Sequence, residues 1–171
     1  MHHQIRLLAI VIPVLVLVSS PAVAAAPHCS DMIMPASALK AVGRGFVPGR
    51  HAGIDLLAPQ GSPVRAAAAG TVTYAGRFFG YGNMVDVGHP DGSVTRYAHL
   101  SAFAPGLRPG GAVDSGDLLG RVGATGRATT PHLHFELRVN GQPVDPKPAL
   151  ALAACQRAPA GREPLEEARA R

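Results

Sequence analysis

Tryptophan is absent from the 171 residues, aromatic residues make up only 5%, and charged residues make up 16%. The basic residues, which give a formal net charge of +5, are spread along the chain rather than clustered. Nucleic-acid binding needs a clustered basic surface with aromatic side chains on which bases can stack. We therefore expect no nucleic-acid partner, and the mildly basic surface is better suited to an anionic exported polymer.

Lysine occurs only twice, as Lys40 and Lys147. A lipoyl or biotinyl carrier would fit the short strands and frequent turns described below, but it needs a modifiable lysine at a hairpin tip. Both lysines lie at the margins of the region with strand patterns, so the carrier alternative is disfavoured. The motifs H-E-x-x-H, G-x-S-x-G and G-x-x-x-x-G-K-[ST] of other enzyme classes are also absent from the sequence.

Cysteine also occurs only twice, as Cys29 and Cys155. Two cysteines that bracket most of the chain favour a single disulfide between the ends of the domain, provided the compartment is oxidising. Such a bridge contributes about 4–5 kcal/mol in the chain-entropy model. A lipid anchor at Cys29 is the less favoured alternative, because residues 26–28 do not resemble a lipoprotein cleavage site.

Long apolar runs are confined to the N terminus. Arg6 precedes the apolar segment Leu7–Val18, and Ala22–Ala24 follows with an A-x-A pattern. This arrangement predicts a secretory signal peptide over residues 1–24, since the apolar segment is too short to span a membrane comfortably. We expect export to the periplasm or the extracellular cell-wall space, with peripheral contact to the cell wall rather than membrane insertion.

Glycine and proline are abundant, with 20 and 16 copies, and they separate short apolar segments along the chain. The clearest alternation is His132–Val139, where odd-numbered positions are apolar and even-numbered positions are polar. Asn140–Gly141 then predicts a tight hairpin turn. Met84–Val87 and Val94–Tyr97 predict a second hairpin. The sequence therefore predicts a mainly β, antiparallel domain with few short helices.

Four segments follow from these patterns. They are the signal peptide 1–24, a lead-in segment 25–48, a β domain over 49–155 and a polar C-terminal tail over 156–171. We expect further strands near 64–66 and 71–74 and a short helix within 148–154. A monomer is favoured.

Histidine is unusually frequent, with eight copies. Those in the predicted β domain are His51, His89, His99, His132 and His134. His132 and His134 are two residues apart in a predicted strand, so both point to one face. His51 and Asp55 can meet only where the chain bends, as Gly53 permits, because four residues of straight strand span about 13 Å. His51, Asp55 and one histidine of the strand would form a ligand set that suits zinc and leaves a fourth position open.

Five sequence blocks in order resemble the lysostaphin/LytM-type zinc endopeptidases, which cleave peptides of peptidoglycan. These blocks are Gly49–Asp55, Ala58–Val64, Gly80–Val85, Tyr97–Leu100 and Pro131–Glu136. The resemblance covers residues 49–146. It implies a β-sandwich-like LytM-type peptidase domain that uses one zinc ion and acts on peptidoglycan peptides.

The resemblance also implies a role for each candidate residue. His51, Asp55 and His134 would be the zinc ligands. The spacing alone leaves open whether His132 or His134 binds zinc, and the resemblance implies His134. His99 and His132 would be the catalytic pair, one activating water and the other stabilising the oxyanion or protonating the leaving amine. His89 matches no catalytic position and is expected in a hairpin.

Two questions stay open at this point. Asn83 and Tyr97 are either cleft residues or structural ones, and Glu136 either orients a metal ligand or faces solvent. The resemblance also admits a second function, because some relatives have lost metal ligands and act as non-catalytic, cell-wall-binding activators of amidases. Since all five implied positions are intact here, we expect an enzyme.

Overall fold

The computed structural model describes residues 32–152. Within this range the chain forms short strands and one short helix, with these bounds: β1 (Ala41–Val42), β2 (Ile54–Leu57), β3 (Pro63–Arg65), β4 (Gly70–Phe78), β5 (Gly82–Gly88), β6 (Val94–Leu100), β7 (Ala102–Phe103), β8 (Ala112–Val113), β9 (Leu118–Arg121), β10 (His132–Val139), β11 (Gln142–Val144) and α1 (Lys147–Leu152).

The strands form two antiparallel sheets. The larger sheet has the order β1-β2-β10-β6-β5-β4-β8, with β11 paired to β10, and the smaller sheet has the order β3-β9-β7. This architecture confirms the predicted mainly β, antiparallel fold class. Because neighbours in the larger sheet are often distant in sequence, β10 lies between β2 and β6 and collects residues from three parts of the chain.

A single hydrophobic core draws on both sheets. Tyr97 and Phe135 of the larger sheet are fully buried, and their ring centroids lie 5.4 Å apart. Val64 and Leu119 of the smaller sheet belong to the same buried cluster. Burial of aromatic and branched side chains is the main favourable contribution to the stability of such a small β domain, and it holds the central strands rigid beneath their polar face.

The predicted hairpins are present in the structure. Asn140 and Gly141 both have positive φ, at 51° and 75°, as a two-residue turn between β10 and β11 requires. The pairing of β5 with β6 confirms the second hairpin. The helix expected within 148–154 begins one residue earlier, as α1.

The lead-in segment contributes more structure than its sequence indicates. Ala41 and Val42 form β1 and pair with Leu57 and Leu56 of β2. Ala36 is buried in the core. A strand of two residues is too short to show a period of two, and this explains why the alternation that revealed β10 is missing here.

Several predictions lie outside the described residues. These are the signal peptide 1–24, the Cys29–Cys155 disulfide and the tail 156–171. Among residues 32–152, no helix has both the length and the apolar character needed to cross a membrane.

Candidate active site

A cleft of about 840 Å³ lies over the polar face of β10 and the adjoining end of β2. All five residues singled out from the sequence line it: His51, Asp55, His99, His132 and His134. These residues converge because of the strand register: His134 of β10 is paired with Asp55 of β2 on one side and with Ala98 of β6 on the other.

The bend between His51 and Asp55 is present, and it brings His51 Nε2 to 3.1 Å from Asp55 Oδ1. Gly53 lies inside this bend. A β-carbon at Gly53 would collide with the carbonyl oxygen of Phe135 in β10. The backbone at Gly53 can therefore approach the backbone of β10 closely only because glycine has no side chain. This close approach places His51 and Asp55 beside His134.

Three potential ligand atoms meet at one point. His134 Nδ1 lies 3.0 Å from Asp55 Oδ1 and 3.2 Å from His51 Nε2. Metal–ligand bonds of about 2.0–2.1 Å in a tetrahedron place neighbouring ligand atoms about 3.3 Å apart. Two imidazole nitrogens and one carboxylate oxygen at these separations fit a zinc ion.

The remaining ring nitrogens of the two histidines support this fit. His51 Nδ1 donates to the carbonyl oxygen of Gly45 at 2.7 Å, and His134 Nε2 lies 3.1 Å from Glu136 Oε1. In the neutral tautomers set by these partners, His51 Nε2 and His134 Nδ1 both present lone pairs to the same point. Facing lone pairs repel one another unless a proton on one nitrogen or a metal ion lies between them, so the ligand set is suited to a metal ion.

The electrostatics of the cleft also favour positive charge at this point. Burial raises the pKa of Asp55, but the hydrogen bond with His134 and the charge of His132 outweigh it, so the pKa lies below its usual value. Burial lowers the pKa of His134, whereas the hydrogen bonds to Asp55 and Glu136 bring it above its usual value. A cation bound at this point would be stabilised by Asp55 directly and by Glu136 through the His134 ring.

His99 and His132 lie beside the three ligand atoms. Their ring centroids are 4.8 Å apart, and His132 Nε2 is 3.6 Å from Asp55 Oδ1. His99 Nδ1 donates to the Thr125 carbonyl and His132 Nδ1 to the Thr130 carbonyl, each at 2.8 Å. In the neutral form of either ring, Nε2 is therefore the nitrogen that can accept a proton.

The backbone of His99 has a φ of 62°, in the left-handed region. Such a conformation costs about 1–3 kcal/mol for a residue other than glycine and persists only where its surroundings impose it. Here His99 N donates to the carbonyl oxygen of Tyr81, while the ring is held by Thr125. Burial lowers the pKa of His99, and the neighbouring His132 and His134 lower it further. A neutral His99 is thus favoured.

Glu136 is fully buried behind the cleft, so its solvent-facing alternative is wrong. It accepts hydrogen bonds from Tyr81 Oη at 2.6 Å and from Arg138, in addition to its contact with His134 Nε2. Burial alone would raise the pKa of Glu136, but the hydrogen bonds, that with His134 foremost, lower it to about 2. The ionised carboxylate therefore fixes both the orientation and the tautomer of His134.

Replacing Glu136 with glutamine is expected to lower zinc affinity or activity about 10- to 100-fold, as removal of such an outer partner typically does. The amide removes the charge that holds the His134 ring. Zinc affinity is measured by competition with a chromogenic chelator.

Asp86→Asn is the matched control for this change. Asp86 pairs with Arg96 through two hydrogen bonds of 2.8 Å in the same region, but it has no hydrogen bond to a ligand. The control is expected to lose stability and keep zinc affinity. Wild-type zinc affinity in Glu136→Gln would contradict the orienting role.

The other candidates are structural. The side chain of Asn83 donates to the carbonyl oxygen of Leu100, and Tyr97 is fully buried with its hydroxyl bound to Ala67 N. His89 bonds Ala69 O and Thr95 Oγ1 in the β5–β6 hairpin region, as expected.

Tyr81 lines the cleft and donates a hydrogen bond to Glu136, and the sequence analysis did not identify it as a candidate. Its position in the Gly80–Val85 block was the available signal.

Together the fold and the cleft define a β domain of the lysostaphin/LytM type with a candidate metal centre. The family model of "Peptidase family M23" matches residues 49–146, and the chain belongs to this family. The resemblance stated from the sequence blocks is thereby confirmed.

Named relatives are similar to more than half of the chain. The chain is 56% identical over 96 residues to the "DD-carboxypeptidase/endopeptidase Mpg" of Neisseria meningitidis, covering 56% of this chain and 22% of that protein. It is 38% identical over 97 residues to "Peptidoglycan DD-endopeptidase ShyC" of Vibrio cholerae, covering 57% and 22% respectively. The chain thus spans about a fifth of the length of these relatives.

A solved structure supports the fold. The catalytic domain of the antimicrobial peptidase lysostaphin from Staphylococcus simulans superimposes with a TM-score of 0.58 at 33% identity. The superposition covers 63% of this chain and 90% of that domain.

Proposed function

We propose that the protein is an exported zinc endopeptidase that hydrolyses peptide bonds in peptidoglycan stems or crosslinks. The observation that carries the proposal is the meeting of His51 Nε2, Asp55 Oδ1 and His134 Nδ1 within 3.0–3.2 Å of one another. These three atoms would hold the ion. When bound there, zinc supplies Lewis acidity that polarises a carbonyl group and makes water more acidic.

His99 and His132 would manage the protons of the reaction. Hydrolysis joins a water oxygen to the carbonyl carbon, breaks the C–N bond and leaves the amine with one added proton. A neutral imidazole can take a proton at Nε2, and the Nδ1–H bonds to the carbonyls of Thr125 and Thr130 stabilise the charged ring. That histidine can return the proton to the leaving amine, whereas the partner histidine can donate to the oxyanion or to the amine only if it enters the step already protonated at Nε2.

Peptidoglycan as the substrate is supported by relatives whose names state that activity. Export agrees with this substrate, because the first 24 residues have the pattern of a secretory signal. The alternative, a wall-binding regulator that does not catalyse, is opposed by the intact ligand set and by the two additional histidines in the cleft.

Metal removal tests the proposal. A chelator is expected to abolish the release of soluble fragments from defined crosslinked muropeptides, and added zinc to restore it. Calcium should not restore it, because a hard cation prefers oxygen to imidazole ligands. Mass spectrometry of the fragments identifies the bond that gains water. Hydrolysis by wild-type protein shown to be metal-free would falsify the mechanism, whereas binding to cell wall without any cleavage would support the regulator.

A further inference from the structure

An exposed aromatic side chain stands at the margin of the cleft. Phe79 is 84% exposed and immediately precedes Gly80, which lines the cleft. Arg127, another cleft residue, places its guanidinium 5.1 Å from the centroid of the Phe79 ring. An exposed apolar residue alone needs no explanation, but here the ring is paired with a cation beside the candidate active site.

The two segments that carry this pair are locked together. Gly82 and Gly126 both have positive φ, and a β-carbon on either would collide with backbone or side-chain atoms of the opposite segment. Arg127 N donates to the carbonyl oxygen of Gly80 at 2.8 Å, and Asn83 N donates to Thr125 Oγ1 at 2.9 Å. The positions of Phe79 and Arg127 relative to the cleft are therefore set by direct contact between the two backbones.

The charge of Arg127 is not neutralised by a neighbouring acid. None of the ion pairs formed among residues 32–152 involves Arg127. Arg44 and Arg50 also line the cleft, and Asp55 is the one carboxylate among its described lining residues. Because Asp55 belongs to the ligand set, the cleft walls present positive charge to a substrate.

A guanidinium is suited to carboxylates, which it can bind through two parallel hydrogen bonds. Contact of Arg127 with the face of Phe79 restricts the orientation of this planar group before a ligand arrives. The exposed part of the Phe79 ring remains open to the aliphatic portion of the same ligand.

We propose that Phe79 and Arg127 form a substrate-binding site for a peptide residue that bears a free carboxylate. Arg127 binds the carboxylate, and Phe79 packs against the adjoining aliphatic chain. The proposal rests on the proposed peptidase function and adds a preference, because the site distinguishes substrates with free carboxylates from those whose carboxylates are amidated.

The test compares two substrates that differ only in whether their stem carboxyl groups are free or amidated. One is a soluble crosslinked muropeptide with free stem carboxylates, and the other is the same muropeptide with those groups converted to primary amides. Wild-type protein is expected to have the lower KM for the free form. Arg127→Gln should raise that KM about tenfold, the effect of losing one charge-assisted hydrogen-bonded contact. The same change should raise the KM for the amidated form far less and should leave kcat within about twofold, since Arg127 makes no hydrogen bond with the candidate catalytic histidines.

Two further variants separate charge from packing. Phe79→Ala should raise KM for both forms, because the lost apolar contact does not depend on the carboxylate. Arg77→Gln is the matched control, since Arg77 is exposed in β4 of the same hairpin and does not line the cleft. Its kinetic constants should be those of the wild type. Equal effects of Arg127→Gln on both substrates, or an equal effect of Arg77→Gln, would overturn the proposed site.

Binding is measured separately from catalysis, by NMR titration of wild-type protein and Arg127→Gln with the same two muropeptides, adding chelator so that neither is consumed. Tighter binding of the free form that is lost in Arg127→Gln supports the site, even if zinc-loaded protein hydrolyses neither substrate and the peptidase proposal fails. Equal binding of both forms by wild-type protein overturns the site without affecting the peptidase proposal.

Discussion

Asp55→Ala is expected to lose bound zinc and with it essentially all hydrolytic activity. The substitution leaves His51 Nε2 and His134 Nδ1, 3.2 Å apart, as the two remaining ligand atoms of the set. It also removes the negative charge that offsets the charge of the ion. Since Lewis-acid catalysis contributes several kcal/mol and each 1.36 kcal/mol is a factor of ten in rate, activity should fall by about 10³-fold or more.

The measurement for Asp55→Ala is zinc content by atomic spectroscopy, alongside the rate of muropeptide cleavage. Asp91→Ala is the matched control, because Asp91 binds Ser93 in the β5–β6 turn and takes no part in the cleft. The control should keep its zinc and its activity while losing a little stability from the turn. A fully active Asp55→Ala protein would show that the three-atom set is not the catalytic metal site.

His99→Asn is expected to keep zinc and lose about 10²–10⁴-fold in activity, the usual contribution of a general acid–base group. Asparagine is the better test residue because the backbone here has a φ of 62°, which asparagine tolerates more readily than most residues. Alanine at this position would combine the loss of the imidazole with added backbone strain. The lower stability of His99→Ala would then complicate comparison of rates.

Zinc content and thermal stability are measured for His99→Asn together with kcat. His89→Asn is the matched control: it removes an imidazole whose nitrogens bond Ala69 O and Thr95 Oγ1. That control should retain kcat. If His99→Asn loses zinc in proportion to activity, His99 contributes to metal binding rather than to proton transfer.

Much of the architecture could be predicted because the informative segments are long enough to show a period. The eight residues of β10 alternate clearly, and Asn140–Gly141 has the chemistry of a two-residue turn. By contrast, β1, β7 and β8 contain two residues each. Strands of that length form through pairing with segments distant in sequence, and they are too short to be predicted from a local pattern.

The candidate site was predictable in its residue types but not in its geometry. The family resemblance implied His51, Asp55 and His134 as the ligand set, but the meeting of these residues requires the register between β2 and β10. Register depends on long-range packing, including the close approach that excludes a side chain at Gly53. The burial of Glu136 could not be predicted from the sequence either. A polar residue on the same face of a strand as the two histidines gives the same sequence pattern whether its side chain is buried or exposed. The assignment of His99 and His132 as the catalytic pair stays a prediction.

The contacts at Gly82 and Gly126 have a mechanical consequence. The two segments on this side of the cleft are in direct backbone contact, so neither can move over the cleft independently of the other. This side of the site therefore does not act as a closing lid. Under the proposed function the substrate is a polymer strand attached at both ends, and such a strand can enter a cleft only from the side. If peptidoglycan is the substrate, a cleft side held in place in this way would let the strand enter laterally and leave after cleavage without an opening step.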